Sequence, residues 1–146
     1  MINEWDLQVA LVEICEADTG PGGMVELHGG NPHPVREFGD EGVAGMRPIT
    51  TIRVVPGRNG GGTGHTRTGK VTFAVWAGRG ARGLESRILD RLEGKPDAPG
   101  IITTPALAVH GIDCGFTNPR RLDLSGLTEK GGRAAAIEWD YTFTRA

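Results

Sequence analysis

Residues Gly64-His65-Thr66-Arg67-Thr68-Gly69-Lys70 fit GxxxxGK, the spacing of a phosphate-binding loop. That loop works because it opens a helix whose N-terminal amides converge on phosphate. It also needs a Ser or Thr after the lysine to hold Mg²⁺. Here Val71 follows, and then a β-branched run, so nucleotide binding is not expected. His28 and His33 flank Gly-Gly-Asn-Pro, with Glu37, Asp40 and Glu41 downstream. A loop metal site could be drawn from them, but no helical HxxxH and no Cys/His ligand set supports it. They read as solvated loop histidines. Ser86 and Ser125, the two serines, sit outside any GxSxG elbow. Asp113 and Asp140 fall in expected strands and could be neighbours across a sheet, yet solvated strand faces account for them without acid–base work. No enzyme class stands out, and no catalytic residue, cofactor site or metal ligand is assigned.

Composition points the same way. Sixteen Lys and Arg against 18 Asp and Glu leave a net charge of −2, which makes no electrostatic case for nucleic acid or an anionic membrane. No apolar run approaches the roughly 20 residues that span a bilayer. The N-terminal residues lack the basic and apolar regions of a signal peptide, so synthesis in a cytoplasm is expected. Cys15 and Cys114 show no CxxC spacing and read as two buried thiols, not a disulfide. The 24 glycines and nine prolines assign many positions to turns. The 146 residues suit one domain with its own core.

The elements that would position these residues follow from periodicity. A helix is expected over about 3–17, with Asn3 as cap and Asp6 completing a capping box. Its apolar residues cover more than one side: Trp5, Val9 and Val12 recur at helical spacing, and so do Leu7, Leu11 and Ile14. Such a helix is expected to be buried on several sides, between a sheet and a second surface. A short strand is expected over 24–28, then an aperiodic stretch over 29–47. The clearest strands are 49–55 and 70–77, joined by a flexible Gly-rich hairpin loop over 56–69. A second helix is expected over about 81–93, with Leu84, Ile88, Leu89 and Leu92 inward and Arg87, Asp90 and Arg91 facing water. A strand with a bulge at Gly111 is expected over 106–116 and a polar loop over 118–132. The closing strand, 133–144, alternates Ile137, Trp139, Tyr141 and Phe143 with polar residues, as in an antiparallel sheet with one face open. This order predicts an α+β fold: a mostly antiparallel sheet with two helices packed on one face.

The layout resembles the tail-terminator, or tail-completion, proteins of long-tailed bacteriophages. The likeness rests on the leading helix, the segment Arg47-Pro48-Ile49-Thr50-Thr51 opening the sheet and the strand KVTFAVWA. It extends to the amphipathic helix LESRILDRLEG and the aromatic closing strand AIEWDYTFTRA. It covers most of the chain, departing from the family's pattern in the Gly-rich hairpin and the proline-containing stretch 29–47. The resemblance implies a structural virion protein, made in the host cytoplasm, that closes a ring of usually six copies. That ring caps the tail tube and meets the head-side connector. Related alternatives are a connector stopper, a tail-tube protein or an unrelated binding module. Loops that order on assembly would form the docking surfaces. By loop position, the candidate assembly-interface residues are Arg36, Glu37, Asp40 and Glu41 in the first loop and Arg58, Asn59, His65 and Arg67 in the second.

Overall fold

Helix α1 (Glu4–Glu16) begins at the reciprocal cap its sequence supplies. Asn3 Oδ1 accepts from the Asp6 amide at 3.0 Å, and Asp6 Oδ2 accepts from the Asn3 amide at 2.9 Å. This computed structural model describes residues 3–37, 48–57, 66–79, 83–127 and 132–144. The candidates Asp40, Glu41, Arg58, Asn59 and His65 lie outside the described residues.

Residues 24–28, expected as a strand, instead form a short helix, α2 (Met24–Leu27). Carboxylates upstream and within the turn decide this. Asp18 Oδ2 accepts from the Met24 amide at 2.9 Å, and Glu26 Oε1 accepts from the Gly22 amide at 3.2 Å. The Met24 amide is among the first amides of the helix, which need such a partner, and the Glu26 contact fixes the chain just ahead of the cap. Burial of Met24 in the core then holds the turn in place.

Strand β1 (Val35–Glu37) lies within the stretch expected to be irregular, and pairs in parallel with β2 (Ile49–Pro56). Strand β3 (Thr66–Arg79) starts four residues before the expected Lys70. Residues 66–69, expected as mobile loop, are fixed from across the sheet. Gly69 pairs with Tyr141, and a β-carbon there would fall 2.6 Å from the Tyr141 hydroxyl. The aromatic ring therefore takes the space that Gly69 leaves, an aromatic cover over a strand glycine. The described part of the GxxxxGK segment, residues 66–70, is thus the start of a strand.

Helix α3 (Leu84–Glu93) buries Ile88, Leu89 and Leu92, as its stripe predicts. Its charged residues do not simply face water. Arg91 makes a two-pronged contact with Asp18, at 2.7 and 2.6 Å, and Asp90 meets Arg121 at 2.9 Å. Gly94, at φ 97°, turns the chain into a small hairpin of β4 (Gly94–Lys95) and β5 (Ala98–Pro99). The chain then returns the Ile101 and Ile102 amides to the Arg91 and Leu92 carbonyls, at 3.0 and 3.2 Å. These contacts satisfy the end of α3.

The expected strand over 106–116 is split. Its first half is helix α4 (Thr104–Val109), capped by the Thr103 hydroxyl, with proline in the first turn. Gly111, at φ 76°, is the left-handed residue that ends the turn and not a strand bulge. Strand β6 (Cys114–Asp123) then occupies much of the expected polar loop, followed by a short 3-10 helix (Ser125–Leu127). Strand β7 (Gly132–Thr144) closes the sheet.

The sheet order is β1-β2-β3-β7-β6, antiparallel at every pair except β1–β2. One face carries Ile52, Val71, Phe73, Ile137, Trp139 and Tyr141 into the core with Leu7 and Leu11 of α1 and Ile88 and Leu92 of α3. Phe73 meets Trp139 edge-on, with centroids 6.1 Å apart. Both long helices lie on this face, giving the α+β fold expected. Cys15 and Cys114 are both buried free thiols.

Candidate functional site

Strand alternation puts the remaining side chains on the face away from α1 and α3. The register lines them up in rows across the strands. One row reads Arg36, Thr51, Ala74, Ala136 and Leu122. The next reads Arg53, Thr72, Glu138 and Arg120, and the one beyond it Val55, Lys70, Asp140 and Thr117. Small buried residues fill the middle of the first row: Thr51, Ala74 and Ala136 are almost inaccessible. The next two rows are charged and largely open to solvent.

A bulge in β6 organises the charges. The register slips by one residue between Thr117 and Arg120, where Asn118 adopts φ 52° ahead of Pro119. The slip turns both Thr117 and Arg120 to the same face. The Arg120 guanidinium then reaches Glu138 Oε1 and Asp140 Oδ1, each at 2.9 Å from Nη2. Asn118 Nδ2 donates to Asp140 Oδ2 at 2.9 Å, and Thr72 Oγ1 donates to Glu138 Oε2 at 3.2 Å. Lys70 lies 3.8 Å from Glu138. The Arg120 fork, followed by Asn118, pulls the Asp140 carboxyl down to about 2. Asp140 is thus an ionised anchor for Arg120. Asp113 does not join it, since Asp113 precedes β6 and Asp140 pairs with Thr117.

A second surface lies on the helix layer. Trp5 and Val9 of α1 point away from Leu7 and Leu11, and Trp5 is 61% exposed. The several-sided burial expected of α1 therefore holds only on its sheet side among the described residues. Trp5, Val9, Glu13, His110 and Ile112 line a shallow groove of about 480 Å³ between α1 and the end of α4. His110 Nδ1 lies 3.2 Å from a Glu13 carboxylate oxygen, and the adjacent Val109 is 85% exposed.

The described interface candidates separate. Arg36 and Glu37 lie on β1, at the edge of the sheet, and alternate between its two faces. Arg67 is not a loop residue. It sits in β3 on the helix-covered face, with Nη1 3.0 Å from Glu4 Oε2 of α1. Glu4 Oε1 also accepts from the Tyr141 hydroxyl at 3.4 Å. Arg67 thus ties α1 to the sheet.

One of the two loop histidines corrects another expectation, while His33 is exposed as expected. His28 is buried, not solvated: Nδ1 donates to the Met24 carbonyl at 2.6 Å, and Nε2 lies 2.7 Å from the Thr50 hydroxyl. A carbonyl only accepts, so Nδ1 carries the proton. Burial lowers the basicity of the ring, so Nε2 accepts from Thr50. His33 pairs with the Glu16 carboxylate. The two histidines therefore do not converge, and no three His, Cys, Asp or Glu side chains among the described residues gather as a metal site. Ser125 Oγ donates to the Ala134 carbonyl at 3.3 Å. No helix among the described residues is long and apolar enough to cross a membrane.

No family model matches this chain, and no curated protein matches it.

Proposed function

We propose that this chain is a non-enzymatic assembly subunit of the tail-terminator type. Copies of it close a ring that caps a phage tail tube and joins it to the head-side connector. The observation that supports this reading is the layered order of elements. A leading helix and a second amphipathic helix cover one face of the sheet, and an aromatic strand, β7, closes it. Among the described residues, the sheet edges β1 and β6 each have one strand partner, which leaves backbone groups for neighbours. Heterologous contacts that close are what a ring requires.

Negative-stain electron microscopy of the protein, alone and added to purified tail tubes, tests this function. Uniform rings seated on tube ends are expected. Long tubes of the protein itself would assign it to the tail-tube class. Failure to decorate tube ends, with no ring in either sample, would refute the proposal.

A further inference from the structure

Among the described residues, the exposed large hydrophobics divide between two opposite surfaces. Trp5, Val9 and Val109 lie on the helix layer. Val55 and Leu122 lie on the sheet face turned away from α1 and α3, as strand alternation requires. Charge divides the same way. Helix α1 carries Glu4, Asp6, Glu13 and Glu16 and no Lys or Arg. Glu4 turns inward to Arg67, leaving the other three acids at the surface. The opposite sheet face carries Arg36, Arg53, Lys70 and Arg120 against Glu138 and Asp140. One outer surface is thus acidic around a tryptophan, and the other is cationic around a valine and a leucine.

We infer that these two surfaces bind each other between copies of this chain. The α1 groove around Trp5 of one copy docks on the Val55–Lys70 region of the next. The inference deepens the ring reading above and rests on its premise that the chain self-assembles. Trp5 supplies the kind of large aromatic anchor that dominates interface energetics. The acids around it meet Arg53 and Lys70, and complementary charge fixes the register and speeds encounter. The two surfaces lie on opposite sides of a two-layer domain, so the contact is heterologous. A pair of copies leaves one surface of each kind unused, and only a ring or a filament satisfies all of them.

Sedimentation with two variants and their mixture tests this. Trp5→Ala removes the anchor from the helix surface, and Val55→Glu places an acid on the sheet surface. Both positions are exposed, so both variants are expected to melt like the parent. Each variant alone is expected to remain monomeric where the parent associates. Their equimolar mixture is expected to stop at a one-to-one dimer, because each contributes the one intact surface the other lacks. Raising salt weakens the parent's association by about tenfold or more, as screening shortens the reach of exposed charges.

Should a variant melt early, Glu13→Lys and Arg53→Glu replace the pair. Variants that associate like the parent, a mixture that stays monomeric, or a parent that never associates would each overturn the inference. A one-to-one dimer together with undecorated tube ends would leave this interface standing and remove the tail-terminator function. Decorated tube ends with indifferent variants would do the reverse.

Discussion

Replacing Gly69 by alanine adds one methyl group where the sheet has no room. The new β-carbon would fall 2.3 Å from the Val55 carbonyl oxygen, 2.6 Å from the Tyr141 hydroxyl and 2.7 Å from Tyr141 Cε2. A carbon and a carbonyl oxygen settle no closer than roughly 3.3 Å, so about 1 Å of movement is required. The Val55 oxygen belongs to strand backbone and cannot rotate away. Tyr141 is fully buried, and moving it also breaks its hydrogen bond to Glu4. Overpacking of this kind costs about 1–3 kcal/mol, and the shared strain on β2 and β7 places Gly69→Ala near the upper end. At roughly 2–4 °C per kcal/mol for a domain of this size, the melting temperature should drop by about 6–12 °C.

Gly115→Ala is the matched control. It is also a strand glycine, but an added β-carbon there meets no atom within 4 Å. Alanine restricts the unfolded chain, so this change should be neutral or stabilise by up to about 1 kcal/mol. Thermal unfolding followed by circular dichroism reads both. Two variants melting within about 2 °C of each other would refute the steric account of the Tyr141–Gly69 contact.

Asp18→Asn keeps the shape of the side chain but replaces the charge that receives the Arg91 fork, so stability should fall by about 2 kcal/mol in urea titrations. The fork, then the Met24 amide, depress the Asp18 carboxyl. Its contribution is therefore present above the unfolded value of 3.8 and is lost as pH falls through the lower folded value. Burial likewise depresses His28, so between its unfolded value of 6.5 and the folded one the unfolded chain binds the extra proton. Stability should fall as pH drops below about 6.5, and His28→Gln should flatten that slope in urea midpoints measured across the range. Burial pushes both thiols up, Cys114 to about 12, so a thiol reagent should label neither Cys15 nor Cys114 in the native protein and both after denaturation.

Elements with a strong local signature were legible in the sequence. The Asn3–Asp6 box, the α3 stripe, the β-branched strands β2 and β3 and the alternating strand β7 all appear where the sequence put them. Three of the misread segments depend on partners outside their own sequence window. Helix α2 is capped by Asp18 from outside its own window, and β1 is recognisable only from its parallel partner β2. Thr66 to Gly69 look like loop until Tyr141 covers the glycine. Helix α4 carried a signal that was readable and outweighed: Thr103 as cap, Pro105 in the first turn and Gly111 at the stop. Its apolar run Ala106 to Val109 suits a strand equally well.

The candidate surface was less legible. Arg67 looked like a loop contact and became an internal tie to α1. Arg120 lay in an expected loop, and only the bulge at Asn118 sets it between Glu138 and Asp140. The signal for the second surface was there in the apolar residues on both sides of α1, which one sheet could not all cover.

The central claim, a closed assembly of copies, is tested most directly by light-scattering mass over a rising concentration series, with and without tail tubes. A mass that climbs from 15.5 kDa and levels at one fixed multiple is the predicted result. A mass that stays at the single chain throughout, with no change when tubes are added, would contradict it.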